Sequence, residues 1–325
     1  MGRRTVTGCE TVSEPTRYTT TATPGGLPGP DADLSQVLER FEHAGHRDPA
    51  AAWNAFTGTW NWAGLLHTAP VLADGDPRPA VRSVAGGFLL SGRWRRPTGG
   101  RPEWLALPLG ADRRQWRERS AEGDRNLFVV PVKALPRALP GPAGTYESEA
   151  FELTDMYVRT GLATHTAGTA LRAGDAGFLC VAVTAMALGA ARRLTDVVAA
   201  LAAATADACP EAMATADVAA ELAAVLYDER TALAAAVRGI PAAGHARASA
   251  VAEPAATLLA QVGTRVRHVV VAAYEQTLPL TGGDGARQAD RAVGLVEDAA
   301  PVLQCMRFAT ERMPPVGDLV EGPTP

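Results

Sequence analysis

Past residue 174 the apolar positions recur with a helical period. Four long runs, Ala176 to Ala204, Pro210 to about Val237, Pro254 to Gln276 and Arg287 to Arg312, carry Ala, Leu and Val with Arg, Asp and Glu at recurring intervals, divided by Gly and Pro. Such spacing predicts helices, and four long helices with short connections pack as an antiparallel bundle. The most apolar run, Ala176 to Ala191, is followed by Arg192-Arg193 and falls short of a membrane span, so it is expected as a buried helix of that bundle.

Residues 79 to 158 follow a different rule. Ala80-Val-Arg-Ser-Val-Ala, Phe88-Leu-Leu-Ser-Gly-Arg-Trp, Trp104-Leu-Ala-Leu-Pro-Leu, Leu127-Phe-Val-Val-Pro-Val and Phe151-Glu-Leu-Thr-Asp-Met-Tyr-Val are short apolar or alternating runs between Gly, Pro and charged turns. They predict strands of a small barrel or sandwich. Ahead of them, Leu38, Phe41 and His43 lie at helical spacing after Asp33 and Ser35, either of which suits an N-cap. A second helix is expected to start at Asp48-Pro49 and run to about Trp62, since proline fits a first turn. Residues 1 to 30, rich in Thr, Pro and Gly, predict a disordered leader. The fold class is therefore α+β, mostly α. Short N-terminal helices (31–68) lead into a central β-domain (69–160) and a C-terminal four-helix bundle (161–315), with a disordered tail (316–325).

Composition narrows the function. With 47% hydrophobic and 20% charged residues the chain can bury a large core, and its formal charge of −4 argues against nucleic acid. Cys9, Cys180, Cys209 and Cys305 form no CxxC pair, so neither zinc nor a disulfide framework is indicated, and with no signal peptide visible a cytoplasmic protein is expected. His43 and His46 share one helix face but have no carboxylate at a recognisable offset, so no metal site is expected. All six tryptophans fall between Trp53 and Trp116; they can line a pocket between helical and β segments, and packing mass is the commoner use of such residues.

The element from Gly86 to Gly99, Gly-Gly-Phe-Leu-Leu-Ser-Gly-Arg-Trp-Arg-Arg-Pro-Thr-Gly, resembles one in the acyl-CoA dehydrogenase superfamily, and within it the flavin-dependent monooxygenase branch. Gly144-Thr-Tyr-Glu-Ser148 through Asp155-Met-Tyr-Val158 is similar to the segment leaving the family's β-domain, with Tyr146-Glu147 replacing its Thr-Gly. Val183 to Arg192 and His46 to Trp53 look like the helices that open the family's bundle and close its N-terminal domain.

The resemblance implies a flavin, FAD or FMN, with Trp94 at the ring, Thr98, Gly99 and Ser148 at its edge, and the Gly282-Gly283 loop and Arg287 approaching the cofactor. The basic residues Arg93, Arg95, Arg96 and Arg101 would help neutralise phosphate. It further implies a homodimer or homotetramer through the bundle, or assembly with a full-length homologue, and a hydrophobic small-molecule substrate of specialised metabolism.

The chain also departs from the family. Its N-terminal helical domain is reduced, Glu297-Asp298 stands where the family has Arg-Asp, and no catalytic base can be carried over. Glu147 and Glu149 are the remaining candidates for a general base. The alternatives to a flavin oxidoreductase are a cofactor-free cyclase or isomerase that uses the same cavity and a non-catalytic subunit of a heteromeric flavoenzyme.

Overall fold

The computed structural model describes residues 26–66, 71–72, 79–95, 103–109, 126–136, 150–165, 168–206, 211–238, 249–278 and 286–311. Two helices come first, α1 (Leu34–Arg47) and α2 (Pro49–Thr59). Asp48 caps α2 by accepting the Ala51 N–H at 2.9 Å, ahead of Pro49, whereas Asp33 precedes α1 without a side-chain cap bond. The second helix ends at Thr59. Trp60–Asn61 then forms strand β1, paired in parallel with β9 (Thr169–Ala170), and Trp62–Leu65 makes a single 3₁₀ turn. The chain is already placed before α1, where Leu27 packs against the helical core.

The β region is two antiparallel sheets face to face. In the first, the long strand β4 (Gly87–Arg95) pairs with β2 (Val71–Leu72) and β3 (Ala80–Val84) on one side and with β7 (Ala150–Arg159) on the other. The second runs β5 (Trp104–Pro108), β6 (Leu127–Pro131), β8 (Ala163–Thr164). Between the sheets lies one apolar core, with Phe88, Leu90, Trp94, Phe151 and Leu153 from the first against Leu105, Leu107, Phe128 and Val130 from the second.

The other face of the second sheet, Trp104, Ala106, Leu127 and Val129, belongs to the core of the bundle. The β5–β6 ladder is thus a middle layer buried on both sides, which is why its strands are apolar at successive positions instead of alternating.

The bundle consists of α3 (Ala176–Thr205), α4 (Glu211–Arg238), α5 (Ser249–Glu275) and α6 (Ala286–Glu311). α3 is its axis: it touches α1, α4, α5 and α6, and every residue from Phe178 to Ala191 is buried. A helix that is apolar all round must be enclosed. As expected from its period it runs on past Arg192-Arg193, to Thr205; it is long and apolar enough by composition to cross a membrane, but is packed inside the protein.

α1 crosses α3 at close range because Gly45 meets the backbone of Met186 and Gly189 meets the backbone of Glu42 and His46. Beside the crossing, the buried Glu42 carboxylate accepts hydrogen bonds from Arg192 of α3 and, at 2.8 Å, from Arg230 of α4. The neighbouring buried Glu229 pairs with Arg265 of α5. Four helices are tied together by this chain of charges, each carboxylate satisfied where it would otherwise be costly to bury.

Candidate functional site

The two segments most alike to flavoenzyme elements turn out to be the two strands of one ladder. β4 and β7 pair from Gly87 opposite Arg159 to Arg95 opposite Ala150, interrupted by a register shift between Leu90 and Gly92. The shift is held by Ser91, whose hydroxyl oxygen accepts the Asp155 N–H at 2.9 Å, and Asp155 takes the left-handed conformation there with φ 49°. Such a bulge bends the strand and re-aims its end. At the other end, Gly86 adopts φ 72° in the β3–β4 turn, and its carbonyl accepts the Tyr157 hydroxyl at 2.9 Å.

The end marked by Arg95 and Ala150 is where the candidate cofactor residues join the ladder in sequence. Thr98, Gly99, Glu147, Ser148 and Glu149 lie outside the described residues, as do Arg96 and Arg101. The strands that lead to them finish side by side, with Arg95 exposed and Arg93 half-buried across from Glu152. The chain is next described at Glu103, and the ring of Trp104 stands edge-on to Phe308 of α6, 5.4 Å between centroids. Phe308 also meets Trp62, at 4.9 Å. The seam between the second sheet and the bundle is therefore an aromatic layer of Trp62, Trp104 and Phe308. Two polar atoms sealed into this region, the Trp62 N–H and the Thr164 hydroxyl, have no hydrogen-bond partner among the described residues.

Trp94 has a different place from the one expected of it. It is fully buried in the core between the sheets, its ring stacked on Phe151 at 6.1 Å and its N–H donated to the Pro108 carbonyl at 3.1 Å. Phe151 covers one face of the ring. Trp53, Trp60, Trp62 and Trp104 are likewise buried, which makes all the described tryptophans packing residues. Gly282 and Gly283 lie outside the described residues; Arg287 falls in the first turn of α6.

Spacing alone missed one charged cluster. His46 meets Asp196 of α3 at 2.9 Å, a carboxylate 150 positions away in sequence, and Arg193 donates to the His46 carbonyl. Close by, burial pushes the Asp298 carboxyl above its ordinary range, and the charges of Asp48 and Glu297 add to this while Arg193 opposes it. No group of His, Cys, Asp and Glu suited to hold a metal occurs among the described residues. Cys180 and Cys305 are free thiols in the bundle core, and burial raises both, Cys180 to about 12. Cys9 and Cys209 lie outside the described residues.

No family model matches the chain, and no curated protein matches it in sequence. Among solved structures, the HsaA monooxygenase from M. tuberculosis shares 14% identity, with 87% of this chain and 85% of that one covered at a TM-score of 0.35. Glutaryl-coenzyme A dehydrogenase in its glutaryl-CoA complex shares 12%, with 89% and 83% covered at 0.38. The ChsE4-ChsE5 complex from Mycobacterium tuberculosis shares 15%, with 94% and 85% covered at 0.35. Each of these alignments spans most of this chain, at low identity.

Proposed function

We propose that this chain binds a flavin, FAD or FMN, at the Arg95–Ala150 end of the β4–β7 ladder and acts as an oxidoreductase on a hydrophobic metabolite. One observation carries the reading: the elements from Gly86 to Gly99 and from Gly144 to Val158, singled out separately in the sequence, share one ladder, and the chain enters both sets of candidate residues from the same end of it. Thr98, Gly99 and Ser148 are the residues proposed to donate to the flavin edge. Arg93 and Arg95 bring cations to that end, suited to a pyrophosphate or phosphate. A bound flavin would supply hydride transfer or oxygen activation. What the protein contributes is a fixed ladder end, basic side chains and an apolar layer behind them that excludes water.

Trp94 does not fit a ring-stacking role, because it is wholly buried, with Phe151 on one face and Pro108 at its N–H. Its part is to stiffen β4 from inside the core. The same observation favours, as a second reading, a protein that has kept the fold and lost the cofactor, either a cofactor-free cyclase or isomerase or a subunit that completes the site of a longer homologue. For the assembly of the chain itself we propose contacts through the outer helices of the bundle.

The visible spectrum of freshly purified protein decides between the two, repeated after FAD or FMN is added and the sample desalted. Retained flavin bands that are lost in Thr98→Val and Ser148→Ala variants of unchanged melting temperature support the flavin enzyme. A colourless protein that releases added flavin overturns it in favour of the second reading.

A further inference from the structure

We infer that Ser91 is a positioning residue for the proposed flavin site, because it holds the one-residue shift of β7 that keeps Arg93 and Arg95 among polar neighbours at the end of the ladder. Along β4 the alternation is unbroken, with Phe88, Leu90 and Trp94 all buried in the core between the sheets. Along β7 it changes phase. Val158 and Met156 turn toward that core, Thr154 and Asp155 are both exposed, and beyond them Leu153 and Phe151 are buried. The extra exposed residue lies opposite Ser91, where the pairing passes from Leu90–Met156 to Gly92–Leu153.

A change of phase sends every later side chain of a strand to the other face. With it, Glu152 comes opposite Arg93 and the small Ala150 opposite Arg95, while Phe151 meets Trp94 inside. Continued without the shift, the register of Gly87 to Leu90 would set Leu153 against Arg93, Phe151 against Arg95 and Glu152 against the buried Trp94. Directly opposed residues share a face, so the two cations would then stand among exposed apolar side chains. The shift is fastened on the backbone: Asp155 sits at φ 49°, and its N–H donates to the Ser91 hydroxyl at 2.9 Å. The Gly87 end has fastenings of its own. There the Gly86 carbonyl accepts the Tyr157 hydroxyl and, at 3.1 Å, the Thr160 N–H, and the Gly161 N–H donates to the Gln304 side chain of α6 at 2.8 Å. Loosening at Ser91 is therefore felt toward Arg95 and not toward Gly87. This role rests on the flavin reading above.

Hydrogen exchange on the flavin-free full chain and fluorescence titration with FAD and FMN test it together, at a temperature where circular dichroism shows every variant folded. Ser91→Ala should speed exchange about 10-fold over residues 92–95 and 150–153 and leave residues 156–160 unchanged. It should also weaken flavin binding about 10-fold, the worth of one hydrogen bond. Ser91→Thr keeps the hydroxyl and should stay within about twofold of the native protein in both measurements. Asp155→Gly keeps the N–H and the left-handed backbone, and should likewise stay within about twofold. Faster exchange spread evenly along the ladder, or confined to Asp155, overturns the positioning role, as does native flavin affinity in Ser91→Ala. A native chain that binds neither flavin overturns the flavin reading, and the exchange profile then decides by itself whether Ser91 holds the ladder end.

Discussion

Gly189 of α3 rests on the backbone of Glu42 in α1, so close to the Glu42 carbonyl that no side chain can stand between them. A methyl group there must push two helix backbones apart, and neither is a flexible side-chain end that could yield. Gly189→Ala should therefore destabilise the protein by about 1–3 kcal/mol, as overpacking does. Gly294 of α6 makes the opposite case, with nothing within 4 Å of an added Cβ. Gly294→Ala should stabilise by up to about 1 kcal/mol through helix propensity. Thermal melts of the two variants should move in opposite directions.

The same crossing brings Glu42 into the protein at 3% exposure, held by Arg192 and Arg230. Glu42→Gln keeps the shape and removes the charge, leaving two guanidinium groups without their shared carboxylate. We expect a loss of about 3 kcal/mol, toward the low end for a broken buried pair because both arginines reach water. A double-mutant cycle with Arg230→Met in urea should give a coupling energy above about 1 kcal/mol; additive single effects would show that the two groups act independently.

Much of this architecture was legible because periodicity reports burial. The helical period after residue 174 gave the four bundle helices within a few residues, and the five apolar runs between 79 and 158 are all strands. Contacts between distant parts of the chain were not legible. His46 finds Asp196 across 150 positions, and nothing in the local sequence signals it. Trp94 illustrates the second limit. Its neighbours pointed to a cofactor, while its own environment is decided by Phe151 on β7 and Pro108 at the end of β5. A motif names the residues of a site, and only the packing says which of them face a ligand.

Asp298 gives the fold a pH dependence with a definite sign. Its carboxyl sits above the ordinary range in the folded protein, chiefly through partial loss of hydration of a side chain that is still exposed, then through Asp48 and Glu297, with Arg193 opposing. A group whose folded pKa is raised binds its proton more tightly folded than unfolded, so its contribution is present at acid pH and lost as pH rises through the folded pKa. Asp298→Asn should stabilise the protein at pH 7, and the gain should shrink toward zero below about pH 4, where the unfolded carboxyl is also protonated. Melting temperatures of both proteins from pH 4 to 8 measure this. A gain independent of pH would assign the effect to packing.

Cys180 and Cys305 should be inert toward thiol reagents in the native protein. Both are wholly buried, and burial holds Cys180 as the neutral thiol up to about 12, so the thiolate that alkylation needs is scarce at pH 8. Iodoacetamide labelling followed by peptide mass spectrometry should find both unmodified until the bundle opens, then modified together across the urea transition. Labelling of either at the rate of an exposed thiol would mean that the α3–α6 core opens well below global unfolding.

Trp94→Phe separates the structural role of β4 from cofactor binding. The substitution keeps an aromatic ring over Phe151 but removes the N–H donated to Pro108 and part of the volume that fills the core between the sheets. The Pro108 carbonyl is left without that donor, and a void opens beside it. Together these should cost about 1–3 kcal/mol. Because the ring has no exposed surface, flavin affinity measured by fluorescence titration well below the melting temperature should stay within about twofold of the native value, whatever that value is. A loss of flavin affinity in a variant that is still folded would mean that the ring communicates with the ladder end, and that the strand it stiffens is what orients Arg93 and Arg95.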